Sequence, residues 1–160
     1  MHTDLKITDI HIITDSEKQL ISAWRYPAPY NIYNLPEAHT MKATGAGFYN
    51  PDKAKNYYTY YINSTLVAYT NFSLKNGSVT IGIGLHPDFC GNGCGKKILE
   101  QACLLCTRLY PGKALTLQVR SWNIRAIKCY EKAGFSFVGQ PYELTTPSGK
   151  DEFINMKKDI

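Results

Sequence analysis

Residues 78–109, SVTIGIGLHPDFCGNGCGKKILEQACLLCTRL, constrain the fold more than any other stretch. Ser78 to Leu85 is an apolar run of strand length, interrupted by Gly82 and Gly84. A loop with Gly91, Gly93 and Gly95 follows. Beyond it, Ile98, Leu99, Ala102, Leu105, Cys106 and Leu109 recur at helical spacing, so they share one face of a helix. Pro111-Gly112 stops that helix, and Ala114 to Val119 returns as a strand. A strand, a helix and a second strand in this order imply a parallel pair. The loop thus opens a helix, where free backbone N–H groups and the helix dipole favour an anion. Glycines let the backbone approach a ligand closely and adopt positive φ. Such a loop is suited to a phosphate or pyrophosphate.

The rest of the chain reads as a mostly antiparallel sheet. Leu5 to Thr14 alternates apolar and polar residues as a strand does, and Ser16 to Trp24 reads as a short helix capped by Asp15 or Ser16. Tyr26 to Asn50 is expected to be irregular, broken by Pro27, Pro29, Pro36, Gly45 and Gly47. Tyr57 to Ile62, Thr65 to Ser73 and Ser78 to Leu85 form a meander, turning at Asn63-Ser64 and Asn76-Gly77. Asn123 caps a helix with Ile124, Ile127 and Tyr130 on its apolar face, and Gly134 ends it. Phe135 to Leu144 and Asp151 to Lys157 are two more strands, joined around Pro147-Ser148-Gly149. The expected class is α+β, a single domain over residues 1–160 with a mixed, mostly antiparallel sheet.

Charge and cysteine usage narrow the function classes. The net charge of +5 is uneven: residues 90–132 carry +6 and the remainder −1. The basic field coincides with the Gly-rich loop and favours an anionic partner. A nucleic-acid binder would also be basic, but the chain has no RNP-like or zinc signature. Five cysteines, an odd count with no framework spacing, point to reduced thiols in a cytoplasmic protein. Cys103 and Cys106 form a lone CxxC inside a helical pattern, and His86, Cys90 and Cys94 share a flexible loop, so neither makes a convincing metal site. No run of about 18 apolar residues suggests a membrane span. The N-terminus, MHTDLKITDIHIITD, lacks the form of a signal peptide.

Known phosphate loops discriminate further. A P-loop would need Gly at position 90 and Ser or Thr at 97, where the chain has Cys90 and Lys97. A dinucleotide fingerprint would need Gly in place of Lys96 or Ile98. Cys90-Gly91-Asn92-Gly93-Cys94-Gly95 instead resembles the [R/Q]-x-x-G-x-[G/A] pyrophosphate loop of the GNAT N-acetyltransferase superfamily. The segment from Val119 to Phe135, VRSWNIRAIKCYEKAGF, is similar to the family's N-x-x-A-x-x-x-Y-x-K-x-G-F pattern through Asn123, Ala126, Tyr130, Lys132, Gly134 and Phe135. The resemblance covers residues 57–160 and is weak before them. The Tyr130 segment and the C-terminal tail look most like ribosomal-protein alanine N-acetyltransferases.

The resemblance implies a GNAT-type sheet with helices on both faces and acetyl-CoA as cosubstrate. It implies that Gly91, Asn92, Gly93, Cys94, Gly95 and Lys96 cradle the pyrophosphate, with Asn123 as a further contact. Ile83, Gly84 and Leu85 would pair with pantetheine like an added strand, with an oxyanion donor near Leu85. Strand glycines have a second reading, relief of crowding beneath an aromatic ring. Tyr130 would be the general acid for the CoA thiolate. The acceptor would be a primary amine, on a small molecule or a protein or peptide, and a homodimer is a further expectation. Two residues depart from the pattern: Cys90 stands where Arg or Gln is usual, and Gln118 where the alanine acetyltransferases carry Glu. These departures define an alternative, a degenerate domain that binds CoA as a sensor or scaffold. Gln118 cannot serve as a base, which leaves Glu37, His39 or His86 acting through water, or an acceptor that arrives neutral. Trp24, Tyr26, Tyr30, Tyr33, Phe48 and Tyr49 either wall an acceptor pocket or pack the N-terminal loop.

Overall fold

The computed structural model describes residues 5–159. Among them lie seven strands and five α-helices. In chain order these are β1 (Asp9–Ile12), α1 (Asp15–Ser22), α2 (Ala38–Thr44), α3 (Pro51–Ala54), β2 (Tyr57–Ile62), β3 (Thr65–Lys75) and β4 (Ser78–Leu85). Then come α4 (Cys94–Leu109), β5 (Ala114–Arg120), α5 (Ile124–Lys132), β6 (Ser136–Thr146) and β7 (Gly149–Lys158). The strand order is β1-β2-β3-β4-β5-β7-β6. β4 and β5 are parallel, whereas β1 with β2, β2 with β3, β5 with β7 and β6 with β7 are antiparallel. The class is α+β with a mixed, mostly antiparallel sheet, as the sequence implies. No helix among the described residues is long and apolar enough to cross a membrane.

The chain divides into two compact units. The first comprises Met1–Asn71 and Gly84–Cys90. Its β1 is shorter than the expected Leu5–Thr14. The reason is its partner: Thr8 N donates to Tyr61 O and Ile13 N to Tyr57 O, and β2 spans only Tyr57–Ile62. The cap of α1 also differs from expectation. It is Thr14, not Asp15 or Ser16, and the helix ends at Ser22 rather than Trp24. Thr14 and Glu17 form a capping box: Glu17 N donates to Thr14 Oγ1 and Thr14 N to a Glu17 carboxylate oxygen.

The stretch expected to be irregular contains α2 and two 3-10 turns, Tyr30–Tyr33 and Gly47–Tyr49. Pro36 and Gly45 bracket α2 instead of breaking it, and Gly45 ends it at φ 68°. Ile13, Ile21, Trp24, Met41, Phe48 and Leu66 form the unit's core, with Tyr49, Tyr57, Tyr61 and Tyr69 packed on it. Trp24, Phe48 and Tyr49 are therefore packing residues.

The second unit comprises Phe72–Ile83 and Gly91–Ile160. Ile98, Leu99, Ala102 and Cys106 on α4 are fully buried, as their helical spacing requires, whereas Leu109 is exposed. α4 and α5 pack together. Leu115, Leu117 and Val119 bury one face of β5. The β6–β7 hairpin runs further than expected, through Thr145↔Lys150 and Thr146↔Gly149. β4 and β5 are in register only at Ser78↔Ala114, Val79↔Leu115 and Thr80↔Thr116.

Candidate active site

The Gly-rich loop leads into the longest helix of the described residues. Gly91 has φ 81° and Gly93, the N-cap of α4, has φ 84°. A Cβ at either would have nothing within 4 Å. Backbone handedness, not crowding, therefore calls for glycine here, since an L-residue in this region costs about 1–2 kcal/mol. Cys94 N donates to Asn92 Oδ1 at 3.4 Å, which folds the loop onto the first turn. Cys94 and Gly95 are buried, and the first turn holds no acidic residue. Lys96 pairs with Glu100 at 3.5 Å on the exposed side. The loop thus ends in sixteen helical residues whose dipole and first N–H groups favour an anion.

In the first unit, the end of β4 is closely surrounded. A Cβ on Gly84 would lie 2.3 Å from Tyr69 Cε1, so glycine is required there by the ring above it. Burial, with Tyr57 nearby, pushes the Tyr69 hydroxyl up to about 12, so it stays neutral. Tyr26 donates its hydroxyl to Leu85 O at 2.6 Å. His86 N donates to Val67 O, and the His86 ring meets Trp24 and Phe89 edge-on. Asp88 N donates to His86 Nδ1 at 3.1 Å, which places the proton of the neutral ring on Nε2. His86 therefore presents a donor, not the free lone pair a base needs. Cys90 Sγ lies 3.7 Å from His86 O, as a weak donor. Glu37 and His39 pair with each other at 3.2 Å and are largely exposed.

In the second unit, Asn123 Oδ1 accepts from Ala126 N at 3.2 Å, so its side chain caps α5 as expected. Tyr130 lies seven residues on, half-buried in the last turn. Phe135 N donates to Tyr130 O, and Gly134 closes the helix at φ 98°. Ile83 is half-buried on β4. α4 and α5 pack together, so the helix that opens at the Gly-rich loop and the helix bearing Asn123 and Tyr130 are neighbours. On β5, Gln118 donates to the Tyr142 hydroxyl at 2.8 Å. Among the described residues no three His, Cys, Asp or Glu side chains gather as a metal site. None of the five cysteines forms a disulfide.

A polar centre invisible to motif reading lies around Glu17, which is 3% exposed. Its carboxylate accepts from Thr14 N and His11 Nε2, each at 2.8 Å, and from the Thr59 and Tyr61 hydroxyls. Burial alone would raise the Glu17 carboxyl, but the bonds from Tyr61, Thr14 and His11 outweigh it and hold the group low. Burial would likewise lower His11, but its bonds to Asp9 and Glu17 raise it overall. Burial and the bond to Glu17 push Tyr61 up to about 12. The one sequence signal was Thr14-x-x-Glu17, the capping-box spacing.

The acetyltransferase (GNAT) family model matches residues 19–135, and the chain belongs to that family. Its class is therefore that of the GNAT acetyltransferases. Among solved structures it is similar to the ribosomal-protein-S18-alanine N-acetyltransferase of Escherichia coli, at 22% identity and TM-score 0.65, covering 95% of this chain and 93% of that one. It is also similar to AAC(6')-Ib in complex with ribostamycin and coenzyme A, at 18% identity and TM-score 0.73, covering 96% and 93%. A third is yncA from Salmonella typhimurium, solved with its cofactor acetyl-CoA, at 16% identity and TM-score 0.65, covering 94% and 92%. No curated protein sequence matches the chain significantly.

Proposed function

We propose that this protein transfers the acetyl group of acetyl-CoA to a primary amine, with Tyr130 as general acid. The observation that carries the reading is the loop itself: Gly91 and Gly93 in left-handed backbone, opening into α4. Its donor set fits a pyrophosphate. Gly91, Asn92, Gly93, Cys94, Gly95 and Lys96 would hold that group, and Asn123 would add a contact from α5. Cys90 supplies no charge there, which leaves the cradle to backbone N–H groups and Lys96. Ile83, Gly84 and Leu85 would pair with the pantetheine arm. Bound acetyl-CoA supplies an activated acyl thioester. Tyr130 then protonates the departing sulfur, and the acceptor must reach the site as a neutral amine. Five cysteines without a disulfide suit the reducing cytoplasm proposed for the protein.

The test is kinetic. Tyr130→Phe should lower kcat at least tenfold, with little change in KM for acetyl-CoA. Acetyl-CoA and CoA, but neither NAD nor ATP, should raise the Tm of both wild type and variant. Unchanged turnover would remove Tyr130 from the mechanism. Failure of either CoA ligand to shift Tm would overturn the cosubstrate assignment.

A further inference from the structure

Within the second unit the two parallel strands part after Thr80 and Thr116. β4 goes on through Ile81–Ile83, while β5 goes on through Leu117–Arg120 registered with β7 alone. The face at this fork carries Thr80 and Thr116, whose hydroxyls are 3.0 Å apart. The next β5 residue on that face is Gln118, which is exposed. Its Nε2 donates to the Tyr142 hydroxyl at 2.8 Å, and that hydroxyl donates in turn to Asn155 Oδ1. Asn155 is the direct cross-strand partner of Gln118. Tyr142 stacks on Phe153 with ring centres 6.4 Å apart, and Arg120 covers the same Phe153 ring at 4.9 Å. Glutamine is ordinarily a loose side chain; here one end of its amide is tied down. The other end, Oε1, remains as a hydrogen-bond acceptor.

The charges on this face are few. Among the described residues they are Arg120 and Lys157, with Asp151 and, just past the end of β7, Asp159 as carboxylates. Asp151 is committed: Arg120 Nε and Trp122 Nε1 both donate to it at 2.9 Å. The bond from Trp122 leads in holding its carboxyl below the usual range, with Arg120 adding to it. Lys157 faces Asp159 at 3.6 Å. The fork thus offers an incoming amine a neutral acceptor, and the carboxylates beside it, Asp151 and Asp159, are already paired with Arg120 and Lys157.

Resting on the acetyl-transfer reading above, we infer that Gln118, held by Tyr142 and Asn155, positions the acceptor nitrogen. The acceptor is an amine that arrives uncharged and without cationic neighbours: the α-amino group of an amino-acid amide or peptide, not a polyamine or aminoglycoside. An α-amine of pKa about 8 is roughly one-quarter neutral at pH 7.5, against about 0.1% for a lysine-type amine of pKa about 10.4. In the step, the nitrogen–carbon bond forms as the carbon–sulfur bond breaks. The sulfur takes a proton, and the nitrogen's proton passes to solvent, because the amide oxygen of Gln118 cannot hold it.

The experiment measures kcat and KM from pH 6 to 9 with alaninamide, Nα-acetyl-lysinamide, spermidine and kanamycin. The enzymes are wild type, Gln118→Ala, Gln118→Glu and Tyr142→Phe, each first checked for native circular dichroism and for a Tm shift with CoA. Wild type should favour alaninamide at least tenfold in kcat/KM, with a pH limb at the amine's own pKa. Gln118→Ala should raise KM for alaninamide at least tenfold and leave KM for acetyl-CoA unchanged, with Tyr142→Phe in between. Gln118→Glu should move the pH limb downward. An equal or greater kcat/KM with spermidine or kanamycin overturns the inference, as does an active Gln118→Ala enzyme with unaltered acceptor KM. A wild type that binds acetyl-CoA yet acetylates none of the four amines overturns the transfer reading and this inference together.

Discussion

Replacing Glu17 with Gln changes one oxygen to an NH2 group and tests the buried centre of the first unit directly. The carboxylate accepts from four donors. With its remaining oxygen toward Thr14 and Thr59, the amide keeps the capping box. Its NH2 then meets His11 Nε2 and the Tyr61 hydroxyl, both of which donate to the carboxylate in the wild type. Two hydrogen bonds to a charged group, at about 1.5–3 kcal/mol each, are lost. Tyr61 and a neutral His11 can each accept from the new NH2, which recovers part of that loss. The expected net destabilisation is about 2–4 kcal/mol, a sizeable share of the 5–15 kcal/mol typical of a domain. For a chain of this length that is roughly 5–15 °C in Tm.

The pH dependence follows from the two shifts. The Glu17 carboxyl is held below 4.5, so its contribution is present above that value and lost as pH falls through the folded-state pKa. His11 is raised above 6.5, so its contribution is full below 6.5 and lost as pH rises through its folded-state pKa. Wild type should therefore be most stable between about pH 4.5 and 6.5 as far as this pair is concerned. In Glu17→Gln the acid limb from residue 17 disappears and the alkaline limb from His11 flattens, with only Asp9 left beside it. Urea unfolding at pH 4 to 8, followed by circular dichroism, reads both effects. A variant within 0.5 kcal/mol of wild type at pH 6, or one whose pH profile runs parallel to wild type, would refute the argument.

Two further outcomes follow from single contacts. Gly84→Ala puts a methyl group 2.3 Å from a Tyr69 ring carbon and should cost about 1–3 kcal/mol; pairing it with Tyr69→Leu should recover part of that loss in a double-mutant cycle read by urea unfolding. Asn123→Ala removes the bond to Ala126 N and should cost about 1 kcal/mol of stability; a Tm unchanged from wild type would mean the cap contributes nothing.

Local pattern made much of this architecture legible. The Ser78–Leu85 strand, the helix face through Ile98 and Cys106, and the Asn123 cap all stand where short-range spacing puts them. What spacing could not reach was partnership across the chain. β1 is shorter than its alternation because β2 is short, and Thr14 looked like a strand end although it caps α1. Helix α2 hid between two breakers that prove to be its borders. The ring that makes glycine necessary at position 84 comes from Tyr69, fifteen residues upstream on another strand. Gln118, Tyr142 and Asn155 come together only through strand pairing between β5, β6 and β7, which their positions in the sequence do not announce.

The pairing of β1 with β2 also has a temporal side. Asp9 is in register with Tyr61 and Ile12 with Tyr58, across a stretch that carries the whole first helix and α2. During synthesis at 5–20 residues per second, β1 leaves the ribosome ~2–10 s before the strand that closes it. For that interval Glu17 has its cap partner Thr14 and its near neighbour His11, but neither Thr59 nor Tyr61. The N-terminal third must therefore wait, with its apolar residues uncovered, and the arrival of two hydroxyls on β2 completes the polar centre that fixes α1 in place.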